Sequence, residues 1–148
     1  MANHLRQQIR ERVATDLTGL STTGSNVFQS RVYPLETGNL PGLLIYSKDE
    51  DSEYVTIGAI RGVLNRLSVQ IEAYCEGTAN FDDTIDTISK EVQIALAGDQ
   101  NLNGLAKDIY LVSTEITLDP SGDKPIGYAS IIYIAEYLFN EDAPDVAT

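Results

Sequence analysis

Apolar and polar residues alternate most clearly in the last third of the chain, from Lys107 to Phe139. The first part of this stretch has the two-residue period of a β-strand, which places every second side chain on the same face. The residues of the more apolar face are Tyr110, Val112, Thr114, Ile116 and Leu118. The opposite face is more polar, so we expect this strand to be half buried.

The second part of the stretch is apolar on both faces of a strand. One face carries Ile131, Tyr133, Ala135, Tyr137 and Phe139, and the other carries Ile132, Ile134 and Leu138. Such a strand needs cover on each face. Residues 119–125, rich in Asp, Pro, Ser and Gly, predict a turn between the two strands. The pattern therefore predicts a long C-terminal β-hairpin, whose open edge invites pairing with another chain.

Two other segments have the apolar spacing of an amphipathic helix. The first contains Leu5, Ile9, Val13 and Leu17, and the second contains Ile85, Ile88, Val92 and Leu96. Asn3 and Asn80 are the expected N-caps, the latter with Asp83 three residues later. Gly19 and Gly98 are the expected ends of the two helices.

Strand-forming residues fill the region between the helices. We expect strands at 27–33, 43–46 and 64–75, with an acidic loop at 48–53. This order predicts an α+β fold, in which two principal helices pack on a mixed, mainly antiparallel sheet that ends in the hairpin. Residues 1–140 are expected to form a single domain. Residues 141–148 have little apolar content and predict a flexible acidic tail.

The charge of the chain bears on its partners. Of its 148 residues, 22 are acidic and 10 are basic, which gives a formal net charge of -12. This balance argues against binding of nucleic acid, which needs clustered Lys and Arg.

No apolar run approaches the roughly 20 residues of a membrane-spanning helix, so we expect a soluble protein made in a cytoplasm. The single Cys75 excludes an internal disulfide, and its place in a strand predicts burial.

Three groups of residues resemble binding or catalytic sites. Residues 99–104 match the first half of a calcium-binding loop, but the twelfth position is Tyr110 rather than glutamate. A polar turn with positive backbone angles at Asn103 and Gly104 explains the same segment. The acidic run near position 50 favours a solvated surface. His4 is the only histidine and lies far from the core-facing Cys75, so we predict no catalytic residue, no metal and no cofactor.

Several short segments are similar to the tail terminator proteins of long-tailed bacteriophages. They are Val27-Phe28, Arg31, Pro34, Leu40-Pro41 and Ile45-Tyr46 followed by Asp49-Glu50, then Asp82-Asp83-Thr84-Ile85-Asp86, Ile126-Gly127-Tyr128 and Ile132-Tyr133-Ile134-Ala135-Glu136-Tyr137. Together they span most of the region from Leu5 to Phe139. None of them is a catalytic signature.

The resemblance implies a virion structural protein, synthesised in the cytoplasm of a bacterial host, that forms a hexameric ring on the head-proximal end of the tail tube. Such a ring stops tube polymerisation and offers a docking surface for the head connector. The implied partners are copies of the chain itself, the tail tube protein and the head connector or neck protein, with no membrane and no sequence-specific nucleic-acid binding. An acidic lining of the ring would let DNA pass without sticking.

Interface residues are expected from residue type, because Arg and Tyr are enriched at protein contacts. The expected residues are Arg31, Tyr33, Tyr46, Arg61, Arg66, Tyr133 and Tyr137. Two alternatives stay open. One is another neck or head-completion protein of the same assembly, and the other is a small binding module or an enzyme. A deep polar pocket with shifted proton affinities would favour the second alternative.

Overall fold

The computed structural model describes residues 2–29, 40–118 and 126–148. The elements in chain order are α1 (Leu5–Leu17), β1 (Val27–Phe28), β2 (Gly42–Tyr54), β3 (Gly62–Glu76), α2 (Phe81–Ala97), a 3-10 turn (Leu102–Gly104), β4 (Asp108–Leu118) and β5 (Ile126–Asn140). Two helices and one mixed sheet make an α+β fold, which confirms the predicted fold class.

The five strands form one sheet in the order β1-β2-β3-β5-β4. β1 and β2 are parallel, and all the other neighbours are antiparallel. β3 and β5 pair over their whole length, from Gly62 opposite Asn140 to Glu76 opposite Ile126. β4 and β5 pair as the predicted C-terminal hairpin, and β4 forms one edge of the sheet. The predicted turn at 119–125 lies outside the described residues.

Both helices pack on one face of the sheet. That face receives the odd-numbered side chains of β3 and β5, because successive residues of a strand point to opposite sides. The helices bury the apolar stripes that the sequence predicted, namely Leu5, Ile9, Val13 and Leu17 in α1 and Ile85, Ile88, Val92 and Leu96 in α2. Cys75 is buried in the same core, as predicted. The fold is thus one layer of helices on one layer of strands.

The helix ends differ in part from the prediction. The N-cap of α1 is His4 rather than Asn3, and its Nδ1 accepts a hydrogen bond from the backbone N–H of Arg6 at 3.0 Å. Asn80 precedes α2 as predicted, but its side chain makes no capping hydrogen bond. Gly98 ends α2 as predicted. Sequence rules do not predict histidine as an N-cap, because a ring nitrogen of histidine can accept a hydrogen bond only when the ring is neutral.

The predicted acidic loop near position 50 was wrong, because β2 continues through it as a strand. Ser47 pairs with Val69 and Glu50 pairs with Leu67, so β2 contains one residue more than β3 between these two pairs. Such a bulge reverses the face to which the following side chains point. Glu50 therefore points to the helix side of the sheet, beside Leu67.

β4 is more exposed than the sequence predicted, and only its residue Ile109 is buried. The physical reason is that α2 packs on β3 and β5 and does not extend over the edge strand. A second bulge lies between Leu111 and Ser113. As a result, Tyr110 and Ile116 lie on opposite faces of the sheet instead of sharing one.

Residues 141–148 contact the body of the protein at several points. The backbone N–H of Leu5 donates to the carbonyl of Pro144 at 2.9 Å. The backbone N–H of Thr148 donates to the carbonyl of Leu138 at 3.0 Å. Ala147 also forms an isolated β-bridge with Phe139. The segment thus links the start of α1 to the end of β5. Its flexibility stays a prediction.

Candidate interaction surfaces

The face of the sheet opposite the helices carries no helix among the described residues. We call it the open face. It presents the even-numbered side chains of β3 and β5, and its half-buried large apolar members are Leu64, Tyr74, Ile126, Tyr128, Ile132, Ile134 and Leu138. The rings of Tyr74 and Tyr128 stack with their centroids 5.0 Å apart. Partial burial, together with the nearby carboxylate of Glu72, raises the pKa of Tyr74.

Two of the predicted interface residues lie on the open face. Tyr46 of β2 pairs with Gln70, and Arg66 of β3 pairs with Glu136. The guanidinium of Arg66 makes ion pairs with Glu136 at 3.1 Å and Glu53 at 3.3 Å, each from a different neighbouring strand. The open face is therefore apolar in part and carries a charged cluster in which one arginine is paired with two carboxylates of the same chain.

The loop between β2 and β3 has an apolar tip, which we define as residues 54–60. Its large apolar residues are Tyr54, Val55, Ile57 and Ile60, and all of them are exposed. The side chain of Ile57 is fully exposed, at 101%. The loop is nevertheless held in place, because the backbone N–H of Gly62 donates to the hydroxyl of Thr56 at 2.6 Å.

Arg61, another predicted interface residue, stands at the base of the apolar tip. Its guanidinium lies 4.1 Å from the ring centroid of Tyr54 and makes an ion pair with Glu141 at 3.1 Å. The bonds from Arg61 hold the pKa of Glu141 below its usual range. Arg61 thus connects the apolar tip to the C-terminal segment.

Tyr133 and Tyr137 belong to the core of the single chain. As odd-numbered residues of β5, they point to the helix side, and their exposed fractions are 4% and 0%. Arg31 and Tyr33 lie outside the described residues. Of the seven predicted interface residues, the described part of the chain therefore offers Tyr46, Arg61 and Arg66 to the surface.

The buried hydroxyl of Tyr137 belongs to a polar cluster around Glu50. It donates a hydrogen bond to Glu50 at 2.5 Å, and the side-chain amide of Asn65 donates to Glu50 at 2.8 Å. Arg6 of α1 completes the cluster with a 3.0 Å ion pair to the same carboxylate. Burial is the main cause that raises the pKa of Tyr137, and its bond to Glu50 adds to the effect. The cluster joins α1 to three strands and has a structural role.

A groove of about 270 Å3 lies between the end of α2 and the start of β4. We call it the edge groove. Its lining residues are all uncharged, and they are Gln93, Leu96, Ala97, Gln100, Ile109, Tyr110, Leu111 and Tyr133. The groove is open to solvent along the exposed strand β4. It is therefore an apolar concave surface at the edge of the sheet.

A pair of carboxyl groups joins α1 to the turn after α2. Arg12 Nε lies 2.8 Å from Asp99 Oδ2 and 3.6 Å from Asp16 Oδ1. Burial, followed by the neighbouring Asp99, raises the pKa of Asp16 to about 7. Asp99 Oδ1 also accepts a hydrogen bond from the backbone of Asn103 at 3.2 Å. Asp99, the first residue of the calcium-like segment, thus uses both of its oxygens within the chain.

The backbone of that segment follows the turn that the sequence predicted. Asn103 has a φ of 57° and Gly104 a φ of 88°. Within the described ranges, no group of three or more His, Cys, Asp or Glu side chains is arranged to hold a metal ion. Burial raises the pKa of the Cys75 thiol to about 11.

Comparison with known proteins gives a likeness among solved structures. No protein-family model matches the chain, and no curated protein matches it. Among solved structures, the chain is similar to a chain of the "Virion of native gene transfer agent (GTA) particle", with a TM-score of 0.39, 13% sequence identity and coverage of 90% of each chain. No helix of the described residues is long and apolar enough to cross a membrane.

The apolar tip and the edge groove were both missed at the level of sequence. The tip carries a signal, because Tyr54, Val55 and Ile57 follow a run of acidic residues and precede Arg61. That signal resembles a weak strand, since aromatic and β-branched residues favour strands. The groove carries no such signal, because its lining comes from α2, the turn after it, β4 and β5 and exists only after folding.

Proposed function

We propose that this protein is a structural subunit of a phage-type particle, namely a tail terminator whose copies form a hexameric ring on the head-proximal end of the tail tube. The observation that carries the proposal is the one-sided cover of the sheet: both described helices pack on one face. The open face and β4 keep large apolar side chains accessible. Accessible apolar surface of this kind marks sites of protein contact.

The proposed mechanism is capping. The ring occupies the growing end of the tube and presents a different surface outward, so that no further tube ring adds. The same outward surface receives the head connector or neck protein. Because this mechanism uses surfaces alone, we assign no covalent chemistry, cofactor or metal to it.

The acidic composition has a role within this proposal. With a formal net charge of -12, a ring of these subunits surrounds the path of the genome with negative potential. DNA adheres to proteins mainly through neutralised phosphates, so an acidic lining lets it pass. A structure of the assembled ring tests this point. Lys and Arg along the hole, with the acidic residues on the outer wall, would contradict it.

The decisive experiment for capping measures tail length. Tails are made with and without this chain, and their lengths are compared by negative-stain electron microscopy. Without the chain we expect overlong tubes of variable length, and expression of the unmodified chain in the same cells restores a single length. Tails of normal length in its absence would exclude the capping role.

The position of the protein separates capping from the neighbouring role in the neck. An antibody or gold label on the chain is expected at the head-proximal end of tails that have not yet joined a head. A label found only on filled heads would favour a head-completion protein of the same assembly.

One observation favours a different class of function. The Asp16 carboxyl, with its pKa raised to about 7, is the kind of perturbed group found at catalytic sites. Its contacts with Arg12 and the neighbouring Asp99 explain the shift through packing between α1 and the following turn. Line broadening of this group by added metabolites, followed by NMR, would favour the enzyme alternative.

A further inference from the structure

We infer that the apolar tip of one copy binds in the edge groove of the next copy, which makes the contact between neighbouring subunits head-to-tail. This inference rests on the proposed ring and names the two surfaces that join its subunits. The partner is a second copy of this chain.

The apolar tip is shaped to insert into another surface. Ile57 projects at its apex with a fully exposed side chain, flanked by the exposed Val55 and Ile60. The loop is ordered by the bond from Gly62 to Thr56 and by the backbone bond from Val55 to Gly62 at 2.9 Å. An ordered loop loses less conformational entropy on binding than a flexible one. The tip is therefore a preformed apolar projection.

The edge groove is a matching concave surface. Its volume of about 270 Å3 is several times the roughly 30 Å3 that one water occupies in the liquid, so it has room for a branched side chain. Leu96, Ala97 and Ile109 give it an apolar floor, and Leu111 of β4 stands exposed at its rim. An isoleucine side chain fits this chemistry.

Charge supports a contact between copies at these two places. Copies of a chain with a formal net charge of -12 repel each other wherever acidic side chains face acidic side chains. The apolar tip contains no charged residue from Tyr54 to Ile60, and the lining of the edge groove contains none either. Joining the two surfaces therefore brings no like charges into direct contact.

Tip and groove lie apart within one chain, so the contact joins different copies. The tip adjoins Gly62, whereas the groove lies beside Tyr133, which pairs with Val69 of β3. Seven residues of strand, about 24 Å at roughly 3.4 Å per residue, separate Val69 from Gly62. A contact between two different surfaces is heterologous, and such contacts close into rings when the rotation between copies permits.

The contact is small, which predicts weak association in solution. The apolar tip has seven residues, whereas a stable interface uses roughly 20–30 residues on each side. A single contact is therefore expected to form only at high protein concentration, and a ring or a tube end strengthens it by joining many copies.

The test uses variants at exposed positions. Ile57→Asp alters the tip and Leu111→Asp alters the groove rim, while Ala79→Asp places the same charge at an exposed position between β3 and α2, at the ends of these elements opposite the tip and the groove. We expect sedimentation velocity to show concentration-dependent association for the unmodified chain and for Ala79→Asp. Each of the other two variants alone is expected to associate roughly tenfold more weakly, as for a central apolar contact. Circular dichroism checks that all three fold.

Mixing the two variants decides whether the contact is head-to-tail. The Ile57→Asp copy keeps an intact groove, and the Leu111→Asp copy keeps an intact tip. A 1:1 mixture is therefore expected to form a heterodimer and nothing larger. Failure to form this heterodimer, or association of Ile57→Asp alone at the level of the unmodified chain, would overturn the inference.

A cysteine pair gives a second measurement for a weakly associating chain. Under mild oxidation, Ile57→Cys with Leu111→Cys in one chain is expected to give a ladder of linked copies, whereas Ile57→Cys alone gives at most dimers. Absence of a ladder at any concentration would reject the contact. A ladder from a chain whose loss leaves tail length normal would keep this inference and reject the terminator proposal. Normal tail length with the Ile57→Asp variant would keep the terminator proposal and reject this inference.

Discussion

The hydroxyl of Tyr137 donates a 2.5 Å hydrogen bond to the carboxylate of Glu50, which lies 87 residues earlier in the chain. The bulge in β2 makes this possible, because it turns Glu50 to the helix side of the sheet, where Tyr137 already points. Asn65 of the intervening strand donates to Glu50 at 2.8 Å and to the Tyr137 oxygen at 3.0 Å. The three side chains thus join β2, β3 and β5 through one polar cluster.

Tyr137→Phe is expected to lower the free energy of unfolding by about 1–3 kcal/mol, because it removes a donor from a carboxylate that has little access to water. Urea denaturation measures the loss. Tyr128→Phe is the matched control, since Tyr128 lies on the open face and contacts Tyr74 through its ring. Equal stability of the two variants would show that the hydroxyl of Tyr137 contributes nothing.

The sequence predicted the parts of the fold that follow a single period. The apolar stripes of α1 and α2, and the alternation along β3 and β5, gave both helices, the two central strands and the fold class. The same reasoning assigned the wrong faces in β4 and missed the later part of β2, because both strands contain a bulge. One extra residue moves every later side chain to the other face. Nothing in the local composition near Glu50 distinguishes a bulged strand from an acidic loop.

Prediction of the interaction surfaces was limited by a different cause. Residue type marked Tyr133 and Tyr137 as contact residues, yet the parity of β5 buries both. Conversely, no role was predicted for Ile57, which is fully exposed in the loop between β2 and β3. Whether an apolar residue faces the core or a partner depends on which elements cover it, and this is decided by tertiary packing.

Gly127→Ala is expected to lower the free energy of unfolding by about 1–3 kcal/mol through overpacking. A Cβ atom at this position would overlap the ring of Phe81 and lie 2.9 Å from Cδ1 of Leu118. Thermal or urea denaturation measures the effect. Gly98→Ala is the control, because a Cβ there meets its nearest neighbour, the carbonyl of Ala95, at 3.5 Å. The control is expected to be neutral or stabilising by up to about 1 kcal/mol.

Asp16→Asn is expected to flatten the dependence of stability on pH. The folded state raises the Asp16 pKa from 3.8 to about 7, so the folded chain holds this proton more tightly than the unfolded chain. The resulting stability is fully present below about pH 3.8 and is lost as pH rises through about 7. Asp99 has a lowered pKa, so its contribution to stability has the opposite dependence on pH. That contribution is present above the ordinary pKa of an aspartate and is lost as pH falls below it.

Melting temperatures between about pH 5 and about pH 8 test this prediction. The lowered pKa of His4 makes stability rise with pH in the same range, so the relevant quantity is the difference between the variant and the unmodified chain. That difference is expected to favour Asp16→Asn increasingly as pH rises. A constant difference across the range would mean that Asp16 titrates as an ordinary surface aspartate.

Ile132→Asp is expected to reduce assembly on tails by placing a charge in the middle of the open face. Ile132 is half buried between Gln70 of β3 and Ser113 of β4, and burying an unpaired carboxylate in a contact is costly. Thr87→Asp, at an exposed position of α2 on the other side of the sheet, is the control. Tail length and ring formation are measured together with solubility and melting. If tail length, ring formation, solubility and melting temperature were all unchanged, the open face would not be covered by a partner.

Removal of residues 141–148 is expected to loosen the first turn of α1. The truncation deletes the Pro144 carbonyl that accepts from the N–H of Leu5, and the Asp145 carbonyl that accepts from the Gln8 side chain at 3.0 Å. Hydrogen exchange followed by mass spectrometry is expected to show faster exchange in the first turn of α1, with α2 unchanged. Glu141→Gln is the control, since it weakens the ion pair to Arg61 and keeps the backbone contacts. Exchange rates that do not change on truncation would show that the segment moves freely in solution, as its composition predicted.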